Sequence, residues 1–315
     1  MIIVTGGAGF IGSNLVRGLN HRGITDILVV DDLEFGDKHR NLNSLEFTDY
    51  IDRRDLLERL PELGPVDTIF HQGACSDTME SDGRFMLEVN YEFSKSLLDY
   101  CLSAGTRFVY ASSASVYGNG DDGFRESSEC EYPLNVYAYS KFLFDRWVRR
   151  VLPEAKSQIV GLRYFNVYGP QENHKGRMAS VIYHFHRQIQ DGGAMRLFEG
   201  SEDFRRDFIY VNDVVDVNLF FLDNPDKSGI FNCGTGEAQS FLNLANAVQS
   251  CFEGSQIERI PFPAALEGKY QAFTQADMTA LRSTGYQAAF TSLEDGVAAY
   301  TDVLSTSNGF LRGPA

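Results

Sequence analysis

The chain has 315 residues, enough for about two domains at roughly 150 residues each. Its 28 Lys and Arg against 43 Asp and Glu leave a formal net charge of −15. That balance argues against nucleic acid as the main partner, because phosphate backbones are held by clustered cations. No apolar run approaches the roughly 20 residues that cross a bilayer, and the start Met1-Ile2-Ile3-Val4-Thr5-Gly6 lacks the basic region of a secretory leader. Five widely spaced cysteines without a C-x-x-C pair suit a reducing cytosol and suggest neither a disulfide framework nor a metal site. The expectation is a soluble cytoplasmic protein with no metal, no membrane and no nucleic-acid partner.

Apolar periodicity predicts a strand at Ile2-Ile3-Val4, a helix from Phe10 to His21 and a second strand at Ile27-Leu28-Val29-Val30. A third short strand ends at Asp52, and further strands are expected at Thr68 to His71 and Arg107 to Ala111. Between these two, Phe85, Met86, Val89, Phe93, Leu97, Leu98 and Cys101 fall at helical spacing. A helix from about Val136 to Leu152 and a strand from Gln158 to Tyr164 follow. Strand–helix alternation with short connections implies an α/β fold of the Rossmann type, a doubly wound parallel sheet. After Gly169-Pro170 the loops lengthen and short strands are expected at Met195 to Phe198, Phe208 to Val211, Ile230 to Cys233 and Ile257 to Ile260. The division expected is a dinucleotide-binding domain over 1–168 and a smaller, interleaved α/β substrate lobe over 169–315, with later segments returning to the first domain. Asp121-Asp122 and the stretch from Glu126 to Glu131 read as a solvated acidic loop without chemistry.

The first strand runs into Gly6-Gly7-Ala8-Gly9-Phe10-Ile11-Gly12. Glycines at 6, 9 and 12 let backbone approach a pyrophosphate, which the helix N-terminus then stabilises through its free N–H groups. Asp31 ends the next strand 19 residues past Gly12, the context this fingerprint requires. The choice between NAD and NADP stays open: Asp31 and Asp32 suit a ribose 2′-OH, whereas Lys38, Arg40, Arg53 and Arg54 suit a 2′-phosphate. Asp52 is a candidate for the adenine amino group.

Tyr137-Ala138-Tyr139-Ser140-Lys141 contains Y-x-x-x-K, which puts Tyr137 and Lys141 on one helix face. An ammonium beside a phenol lowers the phenol pKa and can hold a ribose hydroxyl, while the tyrosine gives or takes a carbinol proton. Ser113 lies 24 residues upstream, past the fifth strand, where its hydroxyl can meet the reacting oxygen.

Ser113, Tyr137 and Lys141 behind the glycine turn resemble the extended short-chain dehydrogenase/reductase family, the nucleotide-sugar epimerases and dehydratases. Dehydratases of this family carry an Asp-Glu pair where this chain has Ala114 and Ser115, so an epimerase is implied. Arg163-Tyr164-Phe165-Asn166-Val167-Tyr168-Gly169-Pro170, Glu172, His174-Lys175-Gly176, Met178-Ala179-Ser180, Leu197-Phe198-Glu199-Gly200-Ser201, Arg206-Asp207-Phe208 and Tyr270 to Asp277 resemble the family of ADP-L-glycero-D-manno-heptose 6-epimerases. The resemblance runs almost end to end. It implies NADP-dependent inversion of C6 of an ADP-heptose for the lipopolysaccharide inner core.

Position by position, the resemblance implies Tyr137 and Lys175 as two acid/base groups, with Lys141 and Ser113 as helpers. It assigns Phe10, Ile11, Asp31, Asp32, Lys38, Arg53, the segment Gln72-Gly73-Ala74-Cys75-Ser76, Asn90, Lys141, Val167 and Lys175 to the cofactor. It assigns Ser113, Asn166, His184, Phe198, Glu199, Gly200, Ser201, Arg206 and Tyr270 to the sugar nucleotide. Arg206 suits a diphosphate through its planar fork; pairing with Asp207 is its other reading. Arg177, where the family has a small residue, is placed in the substrate loop and could contact phosphate or solvent. Asp32, Arg53 and Gln72 depart from an expected Asn, Lys and Glu. A homo-oligomer is implied by analogy alone, through the helices at 85–101 and 136–152. Another nucleotide-sugar epimerase or reductase and a non-catalytic dinucleotide sensor remain the alternatives.

Overall fold

The computed structural model describes residues 1–34, 36–263 and 271–313. Seven strands form one parallel sheet: β1 (Ile2–Thr5), β2 (Ile27–Asp31), β3 (Asp49–Asp52), β4 (Thr68–His71), β5 (Arg107–Ser113), β6 (Ile159–Tyr164) and, from far along the chain, Gly229–Cys233. Their order places β1 and β4 side by side at the centre, with β2 and β3 on one wing and β5, β6 and 229–233 on the other. The chain reverses direction across the sheet between β1 and β4, so a crevice opens at their carboxyl ends.

Near-continuous apolar strands are what a sheet covered on both faces requires. Ile2, Val4 and Val29 pack under α1 (Phe10–His21), whereas Ile3, Leu28 and Val30 pack under α2 (Phe93–Ala104) and α3 (Val136–Val151). The helix Val211–Asp223 joins α1 on its face, close enough that a Cβ on Gly18 would lie 2.5 Å from Val215.

The segment 166–211 and the C-terminal helix Leu293–Ser307 build a second core around Tyr168, Phe185, Leu197, Phe208, Val297 and Tyr300. Two small sheets belong to it. One joins Asn166–Tyr168, Arg205–Tyr210 and Ala238–Ser240, and the other joins Met195–Phe198 and Ile257–Ile260. Among the described residues no helix is long and apolar enough to cross a membrane.

Three expectations change. β5 runs to Ser113 and does not stop at Ala111, because Ser112 and Ser113 keep pairing with Arg163 and Tyr164. The helical stretch around Val89 is interrupted by a π turn at Glu88–Glu92. The wider turn rotates the face, so Met86, Leu97, Leu98 and Cys101 are buried while Phe85, Val89 and Phe93 turn toward the crevice.

The acidic segment is solvated only in part: Asp121, Asp122 and Glu129 are exposed, whereas Glu126 and Glu131 turn inward. The Glu131 side chain is fully buried and is paired with Arg163 and Arg149. Arg163, also fully buried, lies 2.8 Å from Asp145. Burial alone would raise the Glu131 carboxyl, but Arg149 and Arg163 more than offset it and hold it below its usual range. Glu126 accepts the Asn232 backbone N–H at 2.6 Å and so ties this segment to the strand at 229–233.

Candidate active site

A single cleft of about 930 Å³ opens at the carboxyl ends of the central strands. The glycine turn forms its floor. Gly6 has a φ of +66°, and a Cβ there would lie 2.6 Å from the Gly73 nitrogen; a Cβ on Gly12 would lie 2.0 Å from the Gly6 carbonyl oxygen. Only glycine permits this packing of the turn against the β4 loop. Asp31 locks the turn by accepting the Ala8 N–H at 2.8 Å.

On the β2 side, Lys38 Nζ lies 2.6 Å from Asp31 and 3.2 Å from Asp32, and Arg53 Nε donates to Asp32 at 2.9 Å. Burial raises the Asp32 carboxyl, but the two cations outweigh it and hold its pKa below the usual value. Two carboxylates and two cations thus balance at this end. Asp52 is not part of it: its carboxylate accepts from Arg54 at 3.0 Å, and it does not line the cleft.

The β4 loop supplies Gln72, Gly73, Ala74, Cys75 and Ser76 to the wall. Asn90 stands behind this wall. Its side chain accepts the Cys75 N–H at 2.8 Å and donates to the Cys75 carbonyl at 2.9 Å, so it shapes the loop and does not face the cleft.

The end of β5 and the start of α3 place Ser113, Tyr137 and Lys141 together in the cleft. Asn135 caps α3 by accepting the Ala138 N–H at 2.8 Å. Ser113 shares a hydrogen bond with Tyr137; burial pushes the phenol up and this bond offsets part of the rise. Ser115 Oγ donates to Ser113 at 2.9 Å, which fixes the serine rotamer. Burial lowers Lys141 to about 8, with Asp145 pushing back, and its ammonium donates to the Ala111 carbonyl at 2.9 Å. The lowering of the phenol expected from Lys141 is therefore absent: burial of Tyr137 dominates.

Lys175 enters from the opposite wall, on the turn Asn173–Met178. Its ammonium sits 4.8 Å from the Phe10 ring centre and 3.4 Å from Glu172. Arg177, on the same turn, pairs with Asp77 of the β4 loop at 2.7 Å, a partner the sequence did not suggest. His174 also lines this wall. Burial and the nearby Lys38 and Lys175 lower it to about 4, and among the described residues its buried Nδ1 has no hydrogen-bond partner.

The expected sugar-nucleotide residues divide. Asn166 and Val167 line the cleft, next to Phe241. Arg206 lies just behind, with its guanidinium 5.8 Å from the Phe241 ring centre and one N–H on the Arg205 carbonyl at 3.1 Å. Asp207 accepts from the Thr235, Gly236 and Ala276 N–H groups at 2.7–3.0 Å. His184 does not line the cleft and lies edge-on to Tyr183. Phe198, Glu199, Gly200 and Ser201 also lie outside it: Glu199 N–H bonds Ile260, and Ser201 is held by Arg259. Tyr270 lies outside the described residues.

A nicotinamide dinucleotide fits these residues. The tight glycine turn at a helix N-terminus suits a pyrophosphate, the balanced charges at Lys38 and Arg53 suit a ribose, and the free His174 nitrogen offers a further polar contact. His174, Glu172 and Asp77 were given no role from the sequence; His174 and Glu172 lie in the block around Lys175, and Asp77 directly follows the Gln72 to Ser76 segment.

Residues 2–234 match the family described as NAD dependent epimerase/dehydratase. Over 317 aligned residues, 99% of this chain and 100% of the other, the protein is 58% identical to an ADP-L-glycero-D-manno-heptose-6-epimerase of Brachyspira hyodysenteriae. The structure is similar to that of the Helicobacter pylori enzyme of the same name, at 30% identity and a TM-score of 0.85, covering 97% of this chain and 96% of that one. It is also similar to the Thermus thermophilus UDP-glucose 4-epimerase in complex with NAD, at 26% identity and a TM-score of 0.80, covering 97% and 99%. The Ser113, Tyr137 and Lys141 cluster above a glycine turn, together with these matches, places the chain in the NAD dependent epimerase/dehydratase family.

Proposed function

We propose that the protein inverts C6 of an ADP-heptose, converting the D-glycero to the L-glycero-D-manno form for lipopolysaccharide inner-core precursors. The observation that carries this reading is the convergence of Ser113, Tyr137 and Lys141 from one wall and Lys175 from the other on a single cleft. Near-full-length identity to an enzyme of that name supports the substrate.

The cofactor is a nicotinamide dinucleotide, which when bound accepts hydride from C6 and returns it. Tyr137, oriented by Ser113, exchanges the hydroxyl proton of C6 in one orientation of the sugar, and Lys175 does so in the other. Lys141 holds a ribose hydroxyl with its ammonium. C6 loses a hydride and its hydroxyl oxygen a proton to give a carbonyl; hydride then returns to the opposite face of C6 and a proton to the oxygen, so the reaction is redox-neutral. The absence of an Asp-Glu pair at Ala114 and Ser115 leaves no residues there for elimination of water.

NADP is the form this reading takes, supported by Lys38 and Arg53 beside the ribose end. Arg206 is assigned to the diphosphate, reaching it past Phe241. A cytoplasmic setting is supported by five cysteines that are all free thiols. A homo-oligomer belongs to the same reading, supported by exposed Leu134 and Tyr139 at the start of α3. The test is incubation with ADP-D-glycero-D-manno-heptose while C6 configuration is followed by NMR. Conversion to a mixture of both epimers is expected. Turnover of a UDP- or GDP-sugar with none of the ADP-heptose would assign the protein to a different substrate.

A further inference from the structure

Glu172 stands three residues before Lys175, and its carboxylate is fully buried. One oxygen accepts the Tyr300 hydroxyl at 2.9 Å and also the Ser180 hydroxyl. The other accepts the Ser180 N–H at 2.8 Å and lies 3.4 Å from the Lys175 ammonium. These anchors are rigid. Tyr300 is buried in the C-terminal helix, and Ser180 is the N-cap of the helix Val181–Gln190. The residue before, Gln171, is a non-glycine with φ +77°, held by its N–H on the Gly309 carbonyl at 2.8 Å and its amide on the Asn41 carbonyl at 3.1 Å. Such a backbone persists only where its surroundings over-determine it. The carboxylate is thus fixed on one side by the second core and faces the Lys175 ammonium on the other.

We propose that Glu172 is the positioning residue for Lys175, holding its ammonium between the carboxylate and the Phe10 ring so that the proton-transfer group faces the cleft. This rests on the reading of Lys175 as the second acid/base group. Glu172 itself touches neither substrate nor cofactor; it acts through the lysine.

The test is a double-mutant cycle on the purified protein with its cofactor. Glu172→Gln keeps the size and should lower kcat for ADP-heptose about tenfold or more while KM stays within twofold. In a Lys175→Met background the same change should cost less than twofold, because residues that act as a unit are non-additive. Equal losses in both backgrounds would make Glu172 a fold anchor only and overturn the proposal. A readout without turnover accompanies it: acetylation of Lys175 by acetic anhydride, followed by peptide mass spectrometry, should speed up at least threefold in Glu172→Gln. An unchanged labelling rate overturns the proposal even where the parent proves inactive on ADP-heptose, which would instead refute the assigned reaction. Should Glu172→Gln fail to fold, Tyr300→Phe removes one anchor and keeps the ring. Its expected result is a smaller loss of kcat at constant KM; a parental kcat and labelling rate would count against the proposal.

Discussion

The Arg177 guanidinium and the Asp77 carboxylate meet 2.7 Å apart and join the two walls of the cleft, one residue from the Lys175 turn and one from the β4 loop. Both side chains are substantially exposed, and such pairs contribute about 0.2–1 kcal/mol. Arg177→Ser should therefore change unfolding free energy by less than about 1 kcal/mol, a difference that high salt erases. Because Asp77 already holds the side chain, KM for the ADP-sugar should stay within twofold. A large rise in KM would restore Arg177 to substrate binding.

Tyr137→Phe and Lys175→Met each remove one of the two acid/base groups proposed above but leave the cleft lined. Each should lower epimerisation by about 10²–10⁴-fold while cofactor and substrate still bind. Rates measured from each epimer separately should show the two variants limited on different epimers. Parental rates for Lys175→Met in both directions would refute the two-base scheme.

At the ribose end, Arg53 donates to Asp32, and its loss leaves one cation for two carboxylates. Charge-assisted contacts to phosphate are worth about 1.5–3 kcal/mol. Arg53→Ala should weaken NADP by roughly tenfold or more and NAD far less, as read by fluorescence titration. Tighter binding of NAD than NADP by the parent would reverse the cofactor assignment.

His71 lies under the cleft between the Thr5 hydroxyl, 2.6 Å away, and the Ser94 hydroxyl, 2.8 Å away. Burial, reinforced by the Lys141 charge, pushes its imidazole from 6.5 down to about 3. The unfolded chain then binds a proton that the native state refuses. Stability from this group is complete above about pH 6.5 and is lost as pH falls from there toward 3, at about 1.4 kcal/mol per unit. Urea melts between pH 7 and 5 should show this slope in the parent and a shallower one in His71→Asn. Equal slopes would remove His71 as the cause.

The parallel sheet, the glycine turn and the Y-x-x-x-K face were legible because each rests on local rules. Apolar runs, glycine spacing and helical periodicity act within a few residues. The sequence-based resemblance likewise carried Lys175 and Asn166 to one cleft. By contrast, the π turn at Glu88–Glu92 leaves no periodic trace, so Phe85 and Val89 read as sharing one helical face with Leu97 and Cys101. Asp52 had a correct place at a strand end, yet the neighbouring Arg54 takes its carboxylate.

What the sequence determined by itself is the order of strands and helices along the chain, the glycine turn and the shared face of Tyr137 and Lys141. Only the tertiary structure decided the partners of the charges. Glu131 finds Arg163 from 32 positions away, and Glu172 finds Tyr300 from 128. Periodicity cannot specify such pairs, because a charge in a linear sequence is equally compatible with water. Burial removes the water, and a carboxylate enclosed by the fold must then take whichever donors the packing brings to it.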